Sequence, residues 1–136
     1  MGQQHLRVLS EMDTPFYLYD LDLLGKTLAQ CKAASEVHGF RVHYAMKANT
    51  NTHVLNEIAR AGFGADCVSG NEVICAYKHG FHPSEIVFAG VGKSDKEINA
   101  ALDIDIDRFN VESIPELEVL NELAAKRGQV ATVNVR

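Results

Sequence analysis

Five short stretches rich in β-branched or aromatic residues recur along this chain at a nearly constant interval: Arg41–Met46, Ala65–Val68, Ile86–Ala89, Arg108–Val111 and Ala131–Val135. Their ends lie about 21–25 positions apart, which leaves room for one helix of ~10–14 residues between each pair. Helix signals fill those intervals. Ser69-Gly-Asn-Glu72, Ser94-Asp-Lys-Glu97 and Ser113-Ile-Pro-Glu116 each read as a capping box, in which the serine hydroxyl takes an orphan backbone N–H and the glutamate reaches back to the serine N–H. Pro115 stands where a missing N–H costs nothing. Gly39, Gly62, Gly80 and Gly128 each follow a helical pattern and can end it in the left-handed conformation. Leu117, Leu120, Leu123 and Ala124 supply the apolar stripe of the last helix.

Alternating strands and helices without a hairpin signal imply a parallel sheet covered by helices. Strands this short and evenly spaced fit a (β/α)8 barrel better than a doubly wound sheet. Such a barrel takes ~250 residues, whereas this chain has 136. The expected fold is therefore α/β, the N-terminal part of an incomplete (β/α)8 TIM-type barrel with four βα units and a fifth strand. Residues 39–136 would form that half-barrel. Residues 1–38 would lead into it, with Thr14–Tyr19 extended because Pro15 steers its predecessor away from helix, and then a helix capped by Asp20 or Asp22 and ending near His38. Half a barrel would also leave a strand edge and apolar faces uncovered, so association or poor solubility is expected.

Composition narrows the function. With 13 Lys and Arg against 18 Asp and Glu, the net charge is −5 and no basic run occurs, which disfavours nucleic acid and anionic membrane as partners. No apolar stretch approaches the ~20 residues of a membrane span, and the first residues lack the apolar run of a signal peptide. Cys31, Cys67 and Cys75 are odd in number and without CxxC spacing, so they read as reduced thiols of a cytoplasmic protein. Six scattered histidines show no paired ligand spacing, so no metal site is expected.

In a barrel of this kind the active site sits at the C-terminal ends of the strands. Those ends carry Lys47, Asp66 to Ser69, Gly90 to Lys93, Asn110 to Glu112, and Arg136. By position, Lys47 admits two readings: a solvated lysine at a loop start, or an amine desolvated by Ala45, Met46 and Ala48 and so suited to imine formation. Ser69 and Glu72 are explained by capping, which is compatible with a cofactor contact. Gly90-Val-Gly-Lys-Ser94 is not a phosphate loop, because position 87 is Val where the first glycine would stand. Cys67 reads as a packed thiol rather than a nucleophile, and His43 as structural.

Tyr44-Ala-Met-Lys47-Ala-Asn49 resembles the YAxKAN motif of the pyridoxal-phosphate decarboxylases built on an alanine-racemase-like barrel. Thr14–Asp20, Gly64–Gly70, Phe88–Lys93 and Phe109–Ser113 are similar to segments of the same family, in the same order and at compatible spacing. The GVGKS and FNVES words favour its diaminopimelate decarboxylase branch over the ornithine and arginine relatives. The resemblance covers residues from about 14 to the end. It implies pyridoxal 5'-phosphate as cofactor, bound through an imine to Lys47, and conversion of meso-2,6-diaminopimelate to L-lysine and CO2. Asp66 would help hold Lys47 protonated or oriented, Arg136 would approach the cofactor ring, and Ser69 and Glu72 would lie by the cofactor. The family also implies a homodimer whose later strands and second domain complete the site, so the 136-residue chain alone is not expected to turn over substrate. Other amino-acid decarboxylases or racemases on this barrel, a non-catalytic pyridoxal-phosphate carrier, and a mature short chain with a binding role are the competing readings.

Overall fold

The computed structural model describes residues 3–136. Its elements run α1 (Gln3–Ser10), α2 (Leu21–Val37), β1 (His43–Ala45), α3 (Thr52–Arg60), β2 (Gly64–Cys67), α4 (Gly70–Lys78), β3 (Ile86–Phe88), α5 (Asp95–Ile104), β4 (Arg108–Val111), α6 (Ile114–Lys126) and β5 (Val133–Val135). Short 3-10 turns at Met46–Ala48 and Pro83–Glu85 follow β1 and precede β3. All five expected strands form, each within a residue or two of its predicted bounds. The segment after Pro15 carries no sheet pairing, and α1 is an element the sequence pattern did not suggest.

The strands pair in parallel in the order β1-β2-β3-β4-β5. Sequential order is what successive right-handed βα crossovers produce in a barrel, whereas a doubly wound sheet reverses at a switch point. The expected barrel-type order is therefore the one observed.

Period-two alternation decides what each strand buries. Ala65, Cys67, Ile86, Phe88, Phe109 and Val111 face the helices and are buried with Leu55, Ile58, Val73, Ile98 and Leu120. Each Leu, Ile or Phe so buried contributes roughly 1.5–3 kcal/mol. Phe88 and Phe109 sit side by side in adjacent strands, their ring centroids 6.1 Å apart. The opposite face carries His43, Asp66, Val87, Arg108, Asn110 and Asn134 along a cleft of about 400 Å³. This polar concave face is the reason β4 alternates between half-buried and buried positions and Asp66 alone in β2 is half-buried.

Helix ends follow the sequence with two departures. Asp20 caps α2 by accepting from Leu23 N at 2.9 Å, and Gly39, Gly62, Gly80 and Gly128 all take positive φ. Only Ser94–Glu97 forms a complete capping box. In the other two, the serine accepts as expected but the glutamate bonds one residue further back, Glu72 to Val68 N at 2.8 Å and Glu116 to Glu112 N at 3.1 Å. Both serines are fully extended (φ −148° and −157°), against −81° at Ser94, which swings the preceding N–H within reach instead. The second departure is Asp105, which ends α5 at φ 60° where no glycine is available, since a short polar side chain tolerates that region.

Candidate active site at the strand ends

The motif around Lys47 folds onto itself. Met46 turns into the core and is fully buried, while the Tyr44 hydroxyl donates to Asn49 O at 3.1 Å across the 3-10 turn. Burial raises the Tyr44 pKa, so the phenol stays a donor. Asn49 Oδ1 accepts from Asn51 N at 2.8 Å, and Asn51 caps α3 through His53 N. Tyr44, Asn49 and Asn51 thus set the turn that presents Lys47. Its side chain is exposed and has no ion-pair partner among the described residues. Of the two readings of Lys47 by position, the structure shows the solvated one, because Met46 points inward and Ala48 is itself exposed.

Asp66 lies on the concave face of β2, in register with Ala45 of β1. Asp66 and Lys47 make no ion pair with each other. Ser69 and Glu72 occupy the first turn of α4, where both bond backbone N–H groups. Gly70 is required there. A Cβ on it would lie 2.5 Å from Glu97 Cγ, and its N–H donates to Glu97 Oε1 at 2.9 Å. The hydrogen bonds from Ser94 and Gly70 hold the Glu97 carboxyl below its ordinary range. The capping carboxylate of α5 therefore also closes the start of α4.

The lysine of the rejected phosphate loop has a different occupation. Lys93 Nζ donates to Gly90 O (2.7 Å), Asn110 O (2.8 Å) and Glu116 Oε1 (2.6 Å), and stands 5.3 Å from the centroid of the Phe88 ring. Its side chain is 1% exposed and that of Glu116 10%. The pair binds the ends of β3 and β4 to the first turn of α6. Arg136 follows β5 and donates to Glu112 Oε1 at 3.2 Å. Sequence reasoning placed Lys93, Glu112 and Glu116 at strand ends or caps but missed that they bond one another. The surplus of acids at Glu112 and Glu116 beside a lysine at the end of the neighbouring strand was the available sign.

Cys67 is buried on the helix-facing side of β2. Burial, with the Glu72 and Asp66 carboxylates adding to it, pushes its thiol far above the ordinary range, so it is inert packing. An alkylating reagent under native conditions is expected to label exposed Cys31 readily and leave Cys67 unmodified until the chain unfolds. Peptide mapping checks this, and rapid native labelling of Cys67 would contradict the burial. His43 lines the concave cleft, its Nε2 4.0 Å from Glu85 Oε2 and without a hydrogen-bond partner among the described residues.

Of Lys47, Asp66, Ser69, Glu72 and Arg136, only Asp66 lines the concave cleft, and Lys47 and Arg136 follow the strands at the two edges of the sheet. Comparison with known proteins supplies a family. The family described as pyridoxal-dependent decarboxylase, pyridoxal binding domain, matches residues 24–136. A diaminopimelate decarboxylase of Bacteroides thetaiotaomicron is 52% identical over 126 residues, covering 92% of this chain and 33% of that protein. The crystal structure of diaminopimelate decarboxylase from Helicobacter pylori complexed with L-lysine superposes with a TM-score of 0.82 at 37% identity, covering 95% of this chain and 33% of that one. Ornithine decarboxylase from Entamoeba histolytica, at 24% identity and a TM-score of 0.78, shares the fold. The chain thus spans about a third of the length of the relatives it matches.

Proposed function

This chain belongs to the pyridoxal-dependent decarboxylases through their pyridoxal binding domain, and from that premise we propose that it serves the decarboxylation of meso-2,6-diaminopimelate to L-lysine and CO2, with Lys47 as the residue that binds pyridoxal 5'-phosphate. The observation that carries this reading is the match of residues 24–136 to the pyridoxal binding domain, with Lys47 presented after β1 on a turn held by Tyr44 and Asn49. Further support comes from the 52% identity to the Bacteroides diaminopimelate decarboxylase and the likeness to a relative holding L-lysine.

Bound pyridoxal phosphate supplies an electron sink for the carbon that loses its carboxylate. The chain's own groups have the remaining tasks. Lys47 Nζ would hold the cofactor and would supply a proton to the carbon that loses its carboxylate. Asp66, on the concave face of the neighbouring strand, would orient that amine. Ser69 and Glu72 fix the start of α4, and they and Arg136 would help to hold the cofactor. Residues 39–136 act as the cofactor-binding unit and residues 1–38 as the lead into it. The substrate is a small amino acid, and a cytoplasmic homodimer completes the reading.

Incubating the protein with pyridoxal phosphate, reducing with borohydride and mapping the modified peptide tests the assignment. A single adduct on Lys47, absent in Lys47→Ala, is the expected result. Adducts scattered over surface lysines, or none, would remove Lys47 from this role.

A further inference from the structure

We infer that Glu112 is the positioning residue for Arg136, and that the buried Lys93–Glu116 pair is what holds Glu112 in place. The inference rests on the reading above, in which Arg136 would help to hold the cofactor.

The strand ladder brings the two side chains together. Val111 of β4 is in register with Val135 of β5, and Arg136 N donates to Val111 O at 2.9 Å. The residues that follow, Glu112 and Arg136, are therefore neighbours at the mouth of the sheet. Glu112 Oε1 accepts from one terminal nitrogen of the guanidinium, while Arg136 remains 70% exposed and Glu112 is 18% exposed. One nitrogen is thus anchored and the other donors are left for a ligand. An arginine without such an anchor loses rotamer freedom when it engages a ligand, whereas a held one has lost it beforehand.

Glu112 is in turn fixed from beneath. Its backbone N donates to Glu116 Oε2, and the other oxygen of Glu116 takes the Lys93 ammonium. Lys93 is bound to the carbonyls that end β3 and β4. From Phe88 to Arg136 the contacts form an unbroken series across three strands, with two acids matched to two bases. A plain surface ion pair would need no such buried support and would contribute little.

The test is a double-mutant cycle on pyridoxal phosphate binding, followed by cofactor absorbance, with the borohydride adduct mapped in each protein. Glu112→Gln and Arg136→Met are each expected to weaken binding about five- to tenfold, the scale of one partly exposed charge-assisted hydrogen bond. The double variant is expected to bind within about twofold of Arg136→Met, because Glu112 acts only through Arg136. Losses that multiply, unchanged binding by Glu112→Gln, or failure of Glu112→Gln to fold would each overturn the positioning role. A Lys47 adduct in the unaltered protein separates the two levels. With that adduct present and the losses multiplied, only the role of Glu112 falls. Without the adduct the cofactor reading falls, and the positioning role with it.

Discussion

Replacing Lys93 with Met is expected to lower the stability of the chain by about 3–5 kcal/mol, the usual cost of stranding one member of a buried ion pair. Methionine keeps most of the side chain's volume and its contact with Phe88, so the loss isolates the ammonium. Three acceptors lose their donor at once: Gly90 O, Asn110 O and Glu116 Oε1. The Glu116 carboxylate then keeps the Glu112 N–H as its one hydrogen bond among the described residues. A second variant distinguishes the charge from the packing. Lys93→Met combined with Glu116→Leu removes both charges and is expected to recover a large part of the loss, since an apolar pair of similar volume is tolerated where a lone charge is not. Urea unfolding followed by circular dichroism measures both. A single variant within ~1 kcal/mol of the unaltered protein would mean the pair is solvated and holds nothing together.

Gly90→Ala carries the second large effect, about 2–4 kcal/mol, from backbone strain added to a clash. Gly90 sits at φ 102°, and a Cβ there would stand 2.8 Å from Val68 O. Neither contact can yield cheaply. Val68 leads into the Ser69 cap and donates its N–H to Glu72, while the neighbouring Ala89 N is bound to Cys67 O at 2.7 Å. Moving the Val68 carbonyl would therefore loosen β2, β3 and the start of α4 together. Gly92, two residues on in the same loop, has nothing within 4 Å of its Cβ position. Gly92→Ala is expected to change stability by less than about 0.5 kcal/mol. Comparing the two unfolding midpoints is the check, and equal effects would show that the Val68 contact is not what demands a glycine.

The two predictions concern residues that a motif reading handles poorly. Gly90-Val-Gly-Lys-Ser94 invites a phosphate-loop interpretation, and spacing alone suffices to dismiss it. What those residues do instead was not legible. The glycine is dictated by the carbonyl of Val68, and the lysine by a carbonyl and a carboxylate on elements 17 and 23 residues away. The same limit applied to the caps. The pattern Ser-x-x-Glu named the start of three helices correctly, yet which N–H each glutamate takes depends on how extended its serine is, and that is set by the strand leading in.

The strand and helix sequence of this chain, its parallel sense and the identity of Lys47 as the chemical candidate were all present in the order of residues. They rest on local causes: period-two apolar runs, hydroxyl caps, glycines free to turn left-handed, and a motif of contiguous residues. Tertiary structure decided matters that depend on distant neighbours. It set Lys47 in solvent rather than in an apolar pocket, because Met46 spends its bulk on the core. It turned Asp66 toward the polar cleft and Cys67 into the core, a choice between faces that alternation permits but does not make. It joined Lys93, Glu116, Glu112 and Arg136 into one series. Ion pairs between strand ends exist only once register is established, and register is a property of the assembled sheet.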